Sequence, residues 1–216
     1  MKILFVCTGN TCRSPMAEAL ARHLLAEYGV EPRSRGIFAW EGIPASPEAV
    51  EVLRRRGIDL SAHRAARLRP EDVAWADVVL AMTAAHREAL LAAFPEAREK
   101  IWTFAEWVSE VSDRDVGGDV EDPAGKGIEA YEATAARLEE LFLTLADAWK
   151  AAGAIPPGKV GAAAVSGEGP AGDAGNGPDS NARKPEADLR GSGSEADGVP
   201  PRASAEEGPP DGGARA

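Results

Sequence analysis

The sequence predicts an α/β fold in which one four-stranded parallel sheet is flanked by helices within a single domain. Two observations support this prediction. Four short apolar runs alternate with segments of helical periodicity, which is the pattern of a parallel α/β sheet. The first apolar run also leads through a tight turn directly into a helix start. Open sheets of this class bind ligands at the carboxyl ends of their strands, so a site is expected after the first strand.

The first half of the domain is predicted to contain two strands and two helices. Residues 2–6 form the first strand, because a short continuous apolar run is typical of a strand buried on both faces. Residues 14–28 are amphipathic and are followed by Gly29, so they are predicted to form a helix that ends there. Residues 33–38 form the second strand. The next helix covers residues 46–56, with a serine cap, a proline in its first turn and a glycine stop.

The second half of the domain continues the alternation. Residues 76–82 are the clearest buried strand, residues 83–94 are the helix that follows it, and residues 100–104 are the fourth strand. The last long helix covers residues 128–151. Large apolar side chains recur along one face of this helix at helical spacing: Leu138, Leu141, Phe142, Leu145 and Trp149.

Composition changes sharply near residue 153, so we expect a folded domain over residues 1–152 and a low-complexity tail over residues 153–216. The tail contains 14 of the chain's 23 glycines, 9 of its 16 prolines and no aromatic residue. With few large apolar groups it cannot offset the entropy of ordering, so we predict an acidic, disordered tail. Its role is open between an inert extension and a recruitment or autoinhibitory element.

Charge and cysteine content exclude several classes of function. The 216-residue chain has a net charge of −11, which argues against a nucleic-acid partner. No apolar stretch approaches the ~20 residues of a membrane span, and the N-terminus does not follow a signal-peptide pattern. The only cysteines, Cys7 and Cys12, lie in one turn, so a cytoplasmic protein without structural disulfides is expected. The three histidines form no ligand cluster, so neither a metal nor a cofactor is expected.

The turn after the first strand, residues 7–14, reads CTGNTCRS and is the most informative segment of the chain. Its N–H groups are expected to point inward at the positive end of a helix dipole, where they attract a tetrahedral oxyanion. The same field favours the thiolate of Cys7, the form that attacks phosphorus. Arg13 offers a fork of donors for two phosphoryl oxygens. This combination predicts cysteine-dependent phosphoryl transfer.

Other residues of this turn have local roles. Gly9 tolerates a positive φ, and Asn10 enters the left-handed region at low cost. Ser14 either caps the helix or donates a hydrogen bond to the sulfur of Cys7. The alternative for the whole segment is a buried cysteine that ends a strand before an ordinary turn. We disfavour it because every position of the turn carries chemistry that an anion site needs.

Expulsion of a leaving group requires an acid that faces the turn. Asp122 is the best candidate, because Pro123 holds the preceding residue extended within a loop. The residues alone do not distinguish it from the other acids of the same stretch, which are Asp113, Asp115, Asp119 and Glu121.

Together these motifs resemble the low-molecular-weight protein tyrosine phosphatase family. The resemblance covers residues 1 to about 150 and rests on the turn CTGNTCRS, the PMAEA segment after it and the Asp122-Pro123 pair. Within the family, the chain is most similar to the bacterial protein arginine phosphatases. That similarity rests on Thr11 and on the segments GIFA, LAMT and KIWTF, which occur in this order along the chain.

The resemblance implies a flavodoxin-like (phosphatase I) fold, phosphorylated protein substrates and a two-step reaction. Cys7 attacks phosphorus while Asp122 protonates the leaving group, and water then hydrolyses the cysteinyl-phosphate. Arg13 and the amides of the turn hold the equatorial oxygens. Phe38 forms an apolar wall of the pocket, with strand-end packing as the alternative. The substrate- and phosphate-binding residues that it implies are Thr8, Gly9, Asn10, Thr11, Cys12, Ser14 and Phe38.

The resemblance also indicates the substrate class. Tyrosine phosphatases of the family usually carry a bulkier aliphatic residue where this chain has Thr11, and the arginine phosphatases have threonine. Two positions depart from the family pattern: Ala124 replaces an aromatic residue after Asp-Pro, and Arg35 replaces a small residue before Gly36. We therefore expect a protein-arginine phosphatase, with a protein-tyrosine phosphatase as the alternative. An arsenate reductase, which needs further cysteines, and a binding module without turnover are disfavoured.

Cys12 has two roles that the sequence leaves open. It either packs passively or traps oxidised Cys7 in a reversible disulfide that protects the nucleophile. The physiological substrate and the oligomeric state are not indicated by the sequence.

Overall fold

A parallel sheet lies at the centre of the part of the chain that this computed structural model describes, which is residues 1–153. Its strand order is β2-β1-β3-β4, and each neighbouring pair is parallel. The prediction of a four-stranded parallel α/β sheet is therefore confirmed. The predicted tail lies outside the described residues except for its first residue. The strands are β1 (Lys2–Cys7), β2 (Glu31–Gly36), β3 (Val78–Ala81) and β4 (Ile101–Thr103).

Helices connect the strands and cover both faces of the sheet. No helix within residues 1–153 combines the length and the apolar character that a bilayer span requires. The α-helices are α1 (Arg13–Leu24), α2 (Pro47–Arg55), α3 (Pro70–Trp75), α4 (Ala84–Ala93), α5 (Phe104–Ser112) and α6 (Ile128–Ala151). Short 3₁₀ helices cover Ala26–Tyr28 and Pro95–Lys100.

The alternation of side chains along β1 divides the core into two layers. Ile3 and Phe5 face the layer formed with α1, α5 and α6, whereas Leu4 and Val6 face the layer formed with α3 and α4. In the first layer, Phe5 packs edge-on against Phe104, with the ring centroids 5.5 Å apart. Both faces of the strand are buried, which is why its apolar residues are consecutive in the sequence.

The structure contains two helices that the sequence analysis did not predict, α3 and α5. The fourth strand was predicted to run to Phe104, but it ends at Thr103, where a capping box begins α5. The Thr103 hydroxyl accepts from the N–H of Glu106, and the Glu106 carboxylate accepts from the N–H of Thr103. This reciprocal cap converts the end of the apolar run from strand to helix.

The second strand is shifted from its predicted range, residues 33–38, to Glu31–Gly36. In this register Cys7 is opposite Gly36, at the ends of their two strands. The chain then turns, and the N–H groups of Ile37 and Phe38 donate to the carbonyls of Cys7 and Thr8 at 3.0 and 2.9 Å. The end of β2 is therefore fastened along the turn that follows β1.

Candidate active site

The turn between β1 and α1, residues 8–12, joins the sheet to the N-terminus of a 12-residue helix. We call it the phosphate loop. Cys7, the last residue of β1, is only 2% exposed, and Cys12 occupies the N-cap position of α1. Because the loop lies on the positive end of the α1 dipole, it has the geometry of an anion site.

Asn10 fixes the shape of the phosphate loop. It is fully buried and adopts a left-handed φ of 55°, whereas Gly9 does not adopt a positive φ. Its amide nitrogen donates to Ser14 Oγ at 3.0 Å and to Ser34 Oγ at 2.9 Å. Its amide oxygen accepts from the N–H of Ala66 at 2.9 Å. One side chain thus ties the loop to α1, to β2 and to the segment before α3.

The hydrogen bonds of Asn10 also orient the hydroxyl of Ser14. An amide nitrogen only donates, so Ser14 Oγ accepts from Asn10 and keeps its own proton for another acceptor. The sulfur of Cys7 lies 2.9 Å away, and the carbonyl of Arg35 lies 3.3 Å away. Two roles were considered for Ser14, a helix cap and a contact with the Cys7 sulfur, and the structure shows the contact with sulfur.

Gly36 allows the phosphate loop to lie against the end of β2. A Cβ atom at this position would lie 2.7 Å from the carbonyl oxygen of Thr8 and 2.9 Å from the amide nitrogen of Asn10. Both contacts are with backbone and cannot be relieved by a side-chain rotation. Arg35, the residue before Gly36, forms an ion pair with Asp72 of α3 at 2.9 Å.

Arg13 and Asp122 meet at the mouth of the phosphate loop. The guanidinium is buried, and its Nη2 donates to Asp122 Oδ2 at 2.6 Å. Its Nη1 lies 3.4 Å from the carbonyl of Val120. Its Nε is buried without a hydrogen-bond partner among residues 1–153. The Asp122 side chain is half exposed, so the pair spans from the protein interior to solvent.

Among the acids that the sequence could not separate, Asp122 is the one bonded to Arg13. Asp119 instead accepts from the N–H of Ala84, at the start of α4, at 2.8 Å. Asp113 ends α5 in a left-handed conformation. Asp115 and Glu121 have only local partners within the described residues, Gly117 and Lys126.

His86 is a site residue that the sequence analysis considered only as one of three histidines without a ligand cluster. Its Nε2 lies 2.8 Å from the Thr8 hydroxyl, and its Nδ1 lies 2.8 Å from the Thr83 hydroxyl. Partial burial, and then the nearby Arg13 cation, lower the pKa of His86, while Asp122 and Asp119 oppose the shift. A neutral imidazole is therefore favoured at this position. The sequence did hold one signal for a site role of His86. The residue follows β3 closely, and β3 ends at the same edge of the sheet as the strand before the phosphate loop.

His63 makes a second contact with the phosphate loop that the sequence did not indicate. Its Nε2 lies 2.8 Å from the backbone oxygen of Asn10. Within residues 1–153, no group of three or more His, Cys, Asp or Glu side chains is arranged to hold a metal ion.

The sulfur of Cys12 lies among hydroxyl groups. It is 3.2 Å from Tyr131 Oη, 3.3 Å from Ser46 Oγ and 3.5 Å from Thr11 Oγ1. Burial, and then the hydrogen bond with Cys12, raise the pKa of Tyr131 to about 12. Cys7 and Cys12 are both free thiols, so their disulfide stays a prediction.

Thr11 lies in the phosphate loop, and Phe38 lies in the segment between β2 and α2. The carbonyl of Thr11 accepts from the N–H of Ser46 at 2.9 Å. The N–H of Phe38 donates to the carbonyl of Thr8, but its side chain is 66% exposed. Phe38 is thus not packed at a strand end, which was the alternative to its role as a pocket wall.

Comparison with known proteins decides the family. Residues 2–154 match the family model described as low molecular weight phosphotyrosine protein phosphatase. The chain belongs to this family. A protein-arginine-phosphatase of Geobacillus stearothermophilus is 47% identical over 146 residues, which are 68% of this chain and 94% of that protein. The prediction of a low-molecular-weight protein phosphatase is therefore confirmed.

Two solved phosphatase structures of this family are also similar. One is a low molecular weight protein tyrosine phosphatase from T. tengcongensis, with 49% identity, a TM-score of 0.62 and coverage of 68% of this chain and 98% of that one. The other is the C7S mutant of the YwlE arginine phosphatase with a phosphorylated active-site serine. It has 43% identity, a TM-score of 0.64 and coverage of 69% and 96%. Relatives of similar identity are thus named as arginine phosphatases in some cases and as tyrosine phosphatases in others.

Proposed function

We propose that this phosphatase removes phosphate from arginine side chains of proteins through a cysteinyl-phosphate intermediate. The observation that carries the proposal is the arrangement around the phosphate loop. Cys7 Sγ and the Ser14 hydroxyl lie 2.9 Å apart, and Arg13 and Asp122 meet 2.6 Å apart at the mouth. These are the nucleophile, the cation clamp and the proton donor that phosphoryl transfer needs.

In the first step the thiolate of Cys7 attacks phosphorus in line with the bond to the leaving group. An S–P bond forms and the P–N bond of phosphoarginine breaks, while the Asp122 carboxyl gives its proton to the departing nitrogen. Arg13 and the N–H groups of the phosphate loop hold the equatorial oxygens. The buried Nε of Arg13, which has no partner among the described residues, supplies a donor for one of these oxygens.

In the second step water replaces the sulfur. Asp122, now a carboxylate, accepts a proton from the attacking water, the S–P bond breaks, and inorganic phosphate and the thiolate are released. The hydrogen bond from Ser14 stabilises the sulfur as a leaving group. A phosphorylated nucleophile position in the C7S mutant of the YwlE arginine phosphatase supports this intermediate.

Three features at the mouth support phosphoarginine over phosphotyrosine. Thr11 supplies a small side chain with a hydroxyl, which alters how deep the phosphoryl group sits. The carboxyl group of Asp122 lies beside Arg13 at the mouth of the loop, where it favours a cationic guanidinium. Ala124 offers no aromatic ring on which a tyrosine could stack, although relatives of this family usually have one there. The chain has only two cysteines, both in one turn, and this sparse cysteine content supports a reducing, cytoplasmic location.

A comparison of two peptides tests the substrate proposal. The peptides have the same sequence and carry phosphoarginine or phosphotyrosine at the same position. We expect a higher kcat/KM for phosphoarginine. The variant Thr11→Ile is expected to shift this ratio toward phosphotyrosine, because the larger side chain lacks the hydroxyl. A wild-type preference for phosphotyrosine would contradict the arginine assignment.

A generic aryl phosphate tests the chemistry separately from the substrate class. We expect its hydrolysis by the wild-type chain and its loss in Cys7→Ser. Hydrolysis that persists in this variant would exclude Cys7 as the nucleophile. No hydrolysis by the wild type would support a binding module instead.

A further inference from the structure

His86 lies between two threonine hydroxyl groups. Its Nε2 is 2.8 Å from the hydroxyl of Thr8 in the phosphate loop, and its Nδ1 is 2.8 Å from the hydroxyl of Thr83. Thr8 directly follows Cys7, whereas Thr83 is the N-cap of α4. The imidazole therefore connects the helix after β3 to the residue beside the nucleophile.

The hydrogen bonds of Thr83 determine which nitrogen of His86 carries the hydrogen. Thr83 Oγ1 accepts from the backbone N–H of His86 at 3.2 Å, so its own proton needs another acceptor. Within residues 1–153, the only other partner of this hydroxyl is Nδ1 of the same histidine. When Nδ1 accepts, a neutral ring carries its hydrogen on Nε2. Burial, and then Arg13, lower the pKa of His86, which favours the neutral ring.

This tautomer sets the direction of the hydrogen bond with Thr8. The Nε2–H donates and Thr8 Oγ1 accepts, so the proton of the Thr8 hydroxyl remains available to a further acceptor. Thr8 is exposed, and among the residues that the structure describes its side chain has no other hydrogen bond. A hydroxyl that is held by a neighbour and keeps a free proton is preorganised to donate to an anion.

The reacting phosphoryl group is the acceptor that fits this proton. Asp122, the other anion at the mouth, already accepts from Arg13 on Oδ2 and from the N–H of Ala124 on Oδ1. A phosphoryl group on Cys7 is attached to the residue next to Thr8, and its oxygens need donors in the loop.

We propose that His86 is a positioning residue, which orients the Thr8 hydroxyl through its Nε2–H so that this hydroxyl donates to an oxygen of the transferred phosphoryl group. The role rests on the phosphoryl chemistry of Cys7 proposed above. It adds one side-chain donor to Arg13 and the N–H groups of the phosphate loop. Because this donor contacts the phosphoryl group and not the leaving group, its contribution is the same for phosphoarginine and phosphotyrosine.

The experiment compares full-length variants on a phosphoarginine peptide, a phosphotyrosine peptide and p-nitrophenyl phosphate. Thr8→Val removes the hydroxyl at nearly constant shape, and we expect kcat/KM to fall about 10–100-fold on every substrate. His86→Leu leaves the hydroxyl but no longer holds it, so we expect a loss of about tenfold. The inhibition constant of inorganic phosphate is expected to rise in both variants. His23→Leu is the matched control, since His23 is exposed on α1, and it should change each value less than twofold.

Two further variants separate positioning from a structural role. The side-chain amide nitrogen of His86→Gln can only donate, so this variant should recover most of the activity that His86→Leu loses. In the double variant Thr8→Val with His86→Leu, we expect less than a twofold loss beyond that of Thr8→Val, because the partner of the histidine is absent. A structural histidine would instead give losses that multiply in the double variant and no recovery with glutamine.

Nitrogen NMR of the wild-type ring tests the tautomer without any variant. At about pH 8, above the usual pKa of histidine, we expect the hydrogen of His86 on Nε2. A hydrogen on Nδ1 would make Thr8 the donor to His86 and would overturn the proposal. A loss confined to the phosphoarginine peptide would place Thr8 on the leaving group and would also overturn it, as would an unchanged rate in His86→Leu.

Failure of the proposed function gives a different set of results. If only phosphotyrosine peptides are hydrolysed and both variants still lose activity on them, the arginine assignment fails and the role of His86 stands. If phosphoarginine is hydrolysed equally by the wild type and by both variants, the role of His86 fails and the proposed function stands.

Discussion

The floor and the rim of the site are built differently. We define the floor as Cys7, Asn10, Ser14 and Ser34, and the rim as Asp122, His86 and the exposed side chains of Phe38, Trp40 and Ile43 between β2 and α2. Each side chain of the floor is at most 2% exposed and is hydrogen-bonded to another member of the set. On the rim, Asp122 is half exposed and Trp40 is 78% exposed.

This difference indicates a division of labour. The floor is a closed network of buried polar groups, in which the loss of one partner leaves others unsatisfied. The rim consists of side chains on two connections and near the start of α4, each free to change without disturbing the sheet. In the proposed function, the floor therefore fixes the chemistry, and the rim supplies the proton donor and contacts the substrate. Arg13 links the two, because it is buried with the floor and bonded to Asp122 on the rim.

The replacement Asp122→Asn is expected to have the largest effect. It keeps the shape of the rim but removes the proton donor, so we expect kcat to fall about 10²–10⁴-fold. Inorganic phosphate should bind at least as tightly, because Arg13 loses a competing anion. Steady-state kinetics and phosphate inhibition measure both effects.

The control for this replacement is Glu121→Gln, at a neighbouring carboxylate whose side chain is 88% exposed. It is expected to leave kcat within about twofold, since exposed charges contribute little. Equal losses in the two variants would show that rim charge in general, and not the acid at Asp122, supports turnover.

Gly36→Ala tests whether the floor needs its close backbone approach. The added Cβ would meet backbone atoms of Thr8 and Asn10 within 3 Å, so the phosphate loop must shift. Because displacement of catalytic groups by about 1 Å costs about 10²-fold, we expect kcat/KM to fall by this factor. Gly118→Ala is the matched control, since a Cβ there meets nothing within 4 Å. An active Gly36→Ala variant would mean that the floor is not rigid.

The sequence predicted the floor only as far as local rules reach. The thiol, the loop and the helix start are within eight consecutive residues, so their geometry follows from turn and helix chemistry. The residues that close the floor come from far away in the sequence. Ser34 is 24 residues from Asn10, and Ala66 is 56 residues from it. Such partners depend on strand register, which the sequence did not predict, and the predicted range of β2 itself lay two residues too late.

The two missed helices show a different limit. For α5 the signal was present, since Thr103 and Glu106 have the spacing of a capping box, but the apolar run before it favoured a strand. The helix α3 is only six residues long and begins at a proline after Arg69. Six residues are too few to show a helical periodicity in the sequence. The rim residue His86 was missed for a third reason. Its role depends on the contact with Thr8 across the sheet edge, which periodicity does not report.

The free energy of unfolding tests the floor independently of catalysis. Asn10→Ala removes two buried hydrogen bonds and one part-buried hydrogen bond and places alanine at a φ of 55°, so we expect a loss of about 3 kcal/mol. Asp113→Ala is the matched control, because Asp113 is exposed and has a φ of 53°. It is expected to cost about 1 kcal/mol, from the backbone alone. Urea unfolding measures both variants, and equal losses would mean that the hydrogen bonds of Asn10 add nothing.

The smallest expected effect concerns His86 and the pH dependence of stability. In the unfolded chain a histidine takes up a proton near pH 6.5, whereas burial and then Arg13 lower the pKa of His86 in the folded protein. Below pH 6.5 the unfolded state therefore binds more protons, and the folded state loses stability as the pH falls through the lowered pKa. The contribution is fully present above pH 6.5. Because the ring is partly exposed, solvent screening limits it to less than about 1 kcal/mol.

His86→Gln removes this titration and keeps a side chain able to hydrogen-bond to Thr8. Urea unfolding between about pH 7 and pH 5 should show the wild type losing stability relative to the variant as the pH falls. Parallel curves would mean that the ring is as free to accept a proton in the folded protein as in the unfolded chain. The shift depends on burial and then on the Arg13 cation, so such a result would mean that neither lowers the pKa of His86. The ring beside Thr8 would then take up a proton at the same pH as a histidine of the unfolded chain.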